Sequence, residues 1–222
     1  MKNPGSLIGA GGGAVERALR RAGFAAVLAG RSPSFSELAA EAGISEEATR
    51  EVLAELVMAG RATMTADGCL DGIAGLTLRP TRHAIEWAGS VSPSGKPTVS
   101  VGNALGPGGR RATWCAFDAV AIPAALGRTA TAVTTCGGCG ADLRVPLDAG
   151  VPAGDAWGWL PPTDCQHVLR DFCAAADLYC DRAHLDAWRA AAGASPGQPH
   201  PVAALADLGR EAWADCLPTV SP

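Results

Sequence analysis

The sequence predicts an α+β protein: a winged-helix-like three-helix module packed on a C-terminal mixed α+β module that contains an antiparallel hairpin. Three observations predict it. Between residues 14 and 60, three stretches with apolar residues at helical spacing follow one another. Further on, two Thr-, Val- and Leu-bearing segments, 127–136 and 141–150, flank the turn "GGCG". Between these halves lies "AGSVSPSGKPTVSVGNALGPGGRR" (88–111), whose Gly, Pro and Ser content suits a connector.

The elements can be justified in order. Residues 1–13 read as a flexible leader. "AVERALRRAGFAAVLAG" (14–30) is a helix with its arginines largely on one side. "SFSELAAEAG" (34–43) opens with Ser34 and Glu37, a capping-box pair, and closes on Gly43. "SEEATREVLAELVMAG" (45–60) starts on Ser45 as N-cap and ends on Gly60. "RATMTADGCLDGIAGLTL" (61–78) carries Asp67-Gly68, a hairpin signal, between β-rich flanks. After the connector, "TWCAFDAV" (113–120) begins a helix that Pro123 should limit to about two turns. A strand, a "GGCG" turn (137–140) and a return strand follow, and "AWGWLPP" (156–162) suits another strand. Residues 163–193 contain helical stretches, with "FCAAADLYC" (172–180) equally readable as a buried strand. "PVAALADLGREAWADCL" (201–217) closes the chain as a helix. The expected organisation is therefore a leader (1–13), a winged-helix-like module (14–87), a connector (88–111) and an α+β module (112–222).

Composition narrows the function classes. The chain has 222 residues, 48% of them apolar, which is ample for a core, and a formal charge of −4. That charge argues against a surface built to grip phosphate backbones. The helix that would enter a DNA groove carries Glu46, Glu47, Glu51 and Glu55 against Arg50 alone, so no nucleic-acid partner is expected. No secretory h-region or membrane-length apolar run is visible, and the chain reads as cytoplasmic with no membrane partner. In a reducing compartment its eight cysteines are metal-binding, catalytic or simply buried rather than a disulfide framework.

Cys115 and Asp118 stand at i and i+3, so a helix places a soft nucleophile and a proton carrier on one side. By itself such a pair is more often coincidence. "CGGC" (136–139), with Cys165 and His167 downstream, raises structural zinc as an alternative, although Cys-x-His spacing suits a tetrahedral site poorly. His83 and His184 read as surface or capping residues, His200 as loop, and Trp114 as a packing residue. Arg110 and Arg111 read as a solvated loop pair that could steer an anionic substrate.

The wider pattern is "WCAFDAVAIPAALGRTATAVTTC" (114–136), with "GLTLRPT" (75–81), "DFCAAADLYC" (171–180), "AWRAAAG" (187–193) and "DLGREAW" (207–213) in that order. It resembles the organomercurial (alkylmercury) lyase family over roughly residues 14–213, apart from the connector. The resemblance implies that Cys115 is the first mercury-binding thiolate, Cys173 the second, and Asp118 the proton-transferring carboxylate. It makes Cys136 a supporting cysteine, and gives Cys69, Cys139, Cys165, Cys180 and Cys216 no counterpart. After Cys173 the family's His-Phe-Phe type run is replaced by "AAADLY" (174–179), so the pocket wall should be this chain's own.

The implied chemistry is coherent. Mercury(II) is soft and thiolate is the softest protein ligand. Two thiolates push electron density onto the metal, and a positioned acid protonates the departing carbon. No intrinsic cofactor is needed. The product Hg(II) stays on the thiolates until cellular thiols or a mercuric reductase take it, as in mercuric resistance. The alternatives are a relative that uses the same Cys/Asp/Cys set for other metal binding, such as copper, or for a biosynthetic cleavage, and a metal-responsive winged-helix regulator.

Overall fold

A computed structural model of the chain describes residues 12–89, 109–193 and 196–217. The leader's residues 1–11 and the connector's residues 90–108 lie outside the described residues. Three helices come first: α1 (Ala14–Leu28), α2 (Phe35–Ala42) and α3 (Glu46–Met58). Their ends are set by local chemistry. At α2 the Ser34 N–H donates to Glu37 Oε2 at 2.8 Å and the Glu37 N–H returns to Ser34 Oγ at 3.4 Å, while Gly43 takes the left-handed conformation, φ 67°. At α3 the Ala48 N–H donates to Ser45 Oγ at 3.2 Å.

An all-antiparallel sheet of eight strands follows, in the order β1-β2-β3-β5-β4-β6-β7-β8. The strands are β1 (Ala62–Met64), β2 (Leu70–Ile73), β3 (Leu76–Thr77), β4 (Ala84–Trp87), β5 (Arg110–Thr113), β6 (Ala130–Thr135), β7 (Asp142–Asp148) and β8 (Val151–Pro152). Strands on both sides of the expected connector share this sheet: β3 pairs with β5 through Leu76 opposite Thr113. The last residues of that connector are themselves β5, so Arg110 and Arg111 belong to a strand rather than a loop. Arg110 faces Glu86 at 3.5 Å, and Arg111 Nε donates to the Leu28 carbonyl at 2.8 Å. A second sheet has the order β10-β9-β11, formed by β9 (Trp157–Leu160), β10 (Asp177–Tyr179) and β11 (Gln198–Pro201). His200 therefore lies on a strand.

Helix α4 (Ala116–Ala125) runs on to Ala125 with Pro123 inside its last turn, so the proline does not cut it at two turns. Every residue from Ala116 to Ala124 is buried. Each of Phe117, Val120 and Ile122 contributes roughly 1.5–3 kcal/mol by leaving water. The alanines between them let neighbours approach closely. The closest is α6 (Val202–Ala212), where a Cβ on Gly209 would lie 2.6 Å from Ala121 Cα. The "FCAAADLYC" segment takes both of its readings in turn: a short π-type turn (Val168–Cys173), then β10. Helix α5 (Arg182–Ala192) follows. Among the described residues, no helix is long and apolar enough to cross a membrane.

The α4–α6 crossing yields a stability prediction. Gly209→Ala forces the helices apart and should lower the unfolding free energy by roughly 1–3 kcal/mol. Urea unfolding checks this, and an unchanged midpoint and slope would contradict the crossing.

Candidate active site

The N-terminus of α4 carries two of the candidate groups. Cys115 is its N-cap, in extended conformation, and Asp118 is the third helical residue. Asp118 Oδ2 accepts the Cys115 backbone N–H at 3.1 Å and the Cys115 S–H at 3.2 Å. This is the capping-box arrangement with a thiol where Ser or Thr usually stands and Asp where Glu usually stands. Thr113 Oγ1 donates to the Cys115 carbonyl at 3.0 Å and holds the entry to the helix. Cys173 arrives from elsewhere, as the last residue of the π-type turn, which is anchored by the Val168 N–H donating to the Ala59 carbonyl at 2.9 Å. The two sulfurs and a carboxylate oxygen all lie within 4.8 Å of one another. The three residues singled out in the sequence are thus brought together.

Sequence reasoning missed the walls. The pocket is lined by Asp118 and Cys173 with Trp114, Phe117, Val168, Phe172 and Trp213, and by Arg61, Ala74 and Gly75. Cys115, with no exposed surface, sits behind this lining. Ala74 (φ 48°) and Gly75 (φ 86°) form the tight turn between β2 and β3. The Trp213 indole N–H donates to the Ala74 carbonyl and the Trp114 N–H to the Gly75 carbonyl, both at 2.9 Å. These bonds press the turn onto the carboxylate: a Cβ at Gly75 would sit 2.8 Å from the Asp118 carboxyl. Phe117 packs against Phe172 and Trp213 with ring centroids 6.1 and 5.8 Å away. These rings form the apolar wall of the pocket.

Burial sets the protonation states. Desolvation pushes the Cys115 thiol well above its ordinary pKa, helped by its contact with Cys173 and by the charge of Asp118. Hydrogen bonding to Cys115 draws Cys173 down, but burial and the Asp118 charge outweigh it and leave that thiol raised too. Burial lifts Asp118 to about 7, against the pull of the two Cys115 hydrogen bonds. Near neutral pH the site is therefore a thiol pair beside a carboxylate poised to take or give a proton.

The other cysteines and histidines sort differently from the sequence expectation. Cys165 and His167 do not join the Cys136-x-x-Cys139 turn. Cys165 lies near enough to Cys173 for their charges to interact, and His167 Nδ1 accepts the Arg170 N–H at 3.2 Å, capping the π-type turn. The residues that meet Cys136 and Cys139 are Cys180 and His184. His83 is buried rather than at the surface, its Nδ1 2.7 Å from Thr134 Oγ1, and burial lowers its pKa to about 4.

The family model for alkylmercury lyase (MerB) matches residues 94–214. Among solved structures, one described as the mercury-bound form of MerB2 superposes with a TM-score of 0.76 at 18% identity, covering 91% of each chain. At that identity the likeness is one of fold.

Because burial raises the Asp118 pKa above its unfolded value, ionisation of this group opposes folding. The cost is absent below about pH 4, grows up to about pH 7 and is complete above it, where it reaches a few kcal/mol. Asp118→Asn keeps an oxygen for the Cys115 N–H but removes the charge. Its Tm relative to the parent should therefore rise by several degrees between about pH 5 and about pH 8. A difference that does not change with pH would contradict the raised carboxyl.

Proposed function

The chain belongs to the alkylmercury lyase family, a family of carbon–mercury lyases whose model covers residues 94–214 of its 222, and from that premise we propose that it cleaves the carbon–mercury bond by protonolysis, with Cys115, Asp118 and Cys173 as the reacting groups. The observation that carries the assignment of roles is the convergence of two buried thiols and one buried carboxyl within 4.8 Å of one another. A structural neighbour described as a mercury-bound form accords with mercury as the metal handled.

The substrate R–Hg–X enters between the aromatic walls and meets Cys173 at the pocket surface. Because Cys115 lies behind the pocket lining, the order the resemblance implies is reversed: the Cys173 sulfur bonds to mercury first, and its proton leaves with the displaced anion X⁻. Mercury held there faces Cys115, whose thiol already donates to Asp118 Oδ2 at 3.2 Å. As the metal draws on the Cys115 sulfur, the thiol proton passes to the Asp118 carboxylate, whose pKa of about 7 makes it both a competent base and a competent acid. With two thiolates on the metal, the electron pair of the C–Hg bond goes to carbon, and the Asp118 proton completes R–H. The balance is R–Hg–X plus two thiols giving R–H, a dithiolate-bound Hg(II), a proton and X⁻. Exclusion of water by Phe117, Phe172, Trp114 and Trp213 keeps the carboxyl raised and directs its proton to carbon. Small cellular thiols then exchange with the exposed side of the product at Cys173.

Turnover of methylmercury or phenylmercury with hydrocarbon detection tests the reading. The purified protein should release methane or benzene stoichiometrically with substrate. Tight mercury binding without hydrocarbon would instead mark a metal-binding relative of the family. The variants separate roles. Cys115→Ser and Cys173→Ser should each abolish cleavage and weaken mercury binding, since one thiolate cannot activate the bond. Asp118→Ala should retain both thiols and bind Hg(II), while cleavage falls by roughly 10²–10⁴-fold. Full turnover in Asp118→Ala would remove the carboxyl from the mechanism.

A further inference from the structure

Away from the pocket, the chain assembles a second set of soft ligands. The turn between β6 and β7 presents Cys136 and Cys139. Cys180 follows β10, and His184 stands in the first turn of α5. One ligand atom from each of these four residues lies within 4.8 Å of all the others. The Cys139 and Cys180 sulfurs are 3.9 Å apart. That is far beyond the ~2.05 Å of a disulfide. It is close to the roughly 3.8 Å that separates two thiolates on one tetrahedral ion at Zn–S distances of about 2.3 Å.

The backbone around the four is arranged for sulfur held as an anion. Cys136 Sγ accepts the N–H groups of Gly138, Cys139 and Cys180, the last at 3.4 Å. Glycines permit the fit: a Cβ on Gly138 would press on the His184 carbonyl at 3.0 Å, and Gly140 takes φ 74° to leave the turn. Asp181 caps α5 by accepting the His184 N–H at 2.8 Å, which fixes the histidine's position. The side chain is partly exposed, but its ring Nδ1 atom is buried without a hydrogen-bond partner, 3.6 Å from Asp181 Oδ2. A ring nitrogen with no hydrogen bond, beside three thiols, has its lone pair free for a metal ion.

We propose that Cys136, Cys139, Cys180 and His184 bind one Zn²⁺ as a closed, tetrahedral structural site. Three thiolates and an imidazole fill the coordination sphere, so the ion has no open position for substrate and is distinct from the mercury chemistry at Cys115 and Cys173. Its role follows from what it joins. It ties the β6–β7 turn of the large sheet to β10 and α5, over a small apolar cluster of Trp159, Tyr179 and Leu185. Cys173 and Cys180 flank β10, so the same ion anchors the far end of the segment that delivers the second catalytic thiol.

The test uses the full chain carrying Cys115→Ser and Cys173→Ser, so that the pocket cannot contribute thiolates. Purified under reducing conditions from zinc-containing medium, it should retain one zinc per chain. Exchange with Co²⁺ should give the visible bands and thiolate charge-transfer absorption of a tetrahedral site. Adding Cys139→Ser, at an exposed position, should weaken Co²⁺ and Zn²⁺ binding by at least roughly 100-fold. His184→Cys should keep the ion, because it supplies a fourth thiolate. Strong chelator should lower the Tm of the parent and leave Cys139→Ser unmoved. A reduced protein that holds less than about one-tenth equivalent of zinc and takes up no Co²⁺ would overturn the proposal, as would a cobalt spectrum unchanged by Cys139→Ser.

Discussion

One carboxylate oxygen holds the site together. Asp118 Oδ2 takes both the backbone N–H and the thiol of Cys115, so the bond that starts α4 also aligns the thiol with the group that can take its proton. A capping carboxylate at a surface would be ionised and solvated. Here burial lifts it to about 7 and keeps the adjacent thiol protonated, which gives the pair a proton to move. In the proposed reaction, structural need and chemical need are met by the same two side chains.

The rest of the fold serves to bury that pair. Helix α4 is covered by α6 along the close Gly209–Ala121 contact, and the residue just beyond α6, Trp213, ties the β2–β3 turn across the carboxylate. That turn belongs to the N-terminal half of the chain. The sheet runs on through β3 and β5 into the strands of the C-terminal half. The N-terminal strands therefore contribute a wall of the proposed active site. Cys173 is delivered by a third element, a π-type turn followed by β10.

What the sequence made legible was local. The ends of α2 and α3 follow from Ser34, Glu37, Gly43 and Ser45, each of which acts within four residues of itself. Cys115 and Asp118 were visible as a spaced pair, although their capping-box contact, with Cys115 outside the helix proper, needed the backbone to be seen. Cys173 could be tied to them only through family resemblance, because its approach is purely tertiary. Gly75 and Trp213 fell within the motifs of the resemblance, but their role as walls was not readable: a left-handed Ala74 leaves no mark in the sequence, and the indole bond spans 139 positions. The continuous sheet was hidden for the same reason, since β3 finds β5 across the whole connector. Cys136-x-x-Cys139 was legible as half of a metal-binding pattern. Its partners were not, because Cys180 and His184 become neighbours only when the end of a strand turns into the first turn of a helix.

The central claim is that the proton reaching carbon originates on Cys115 and passes through Asp118. The most direct measurement is the pH dependence of kcat/KM for organomercurial cleavage, in the parent and in Asp118→Asn. The account predicts that the parent loses activity below an apparent pKa near 7, as Asp118 becomes protonated and can no longer accept the Cys115 proton, and that the small residual activity of Asp118→Asn lacks this limb. An acid limb of the same position in both proteins, or a parent profile flat between about pH 6 and about pH 8, would contradict it.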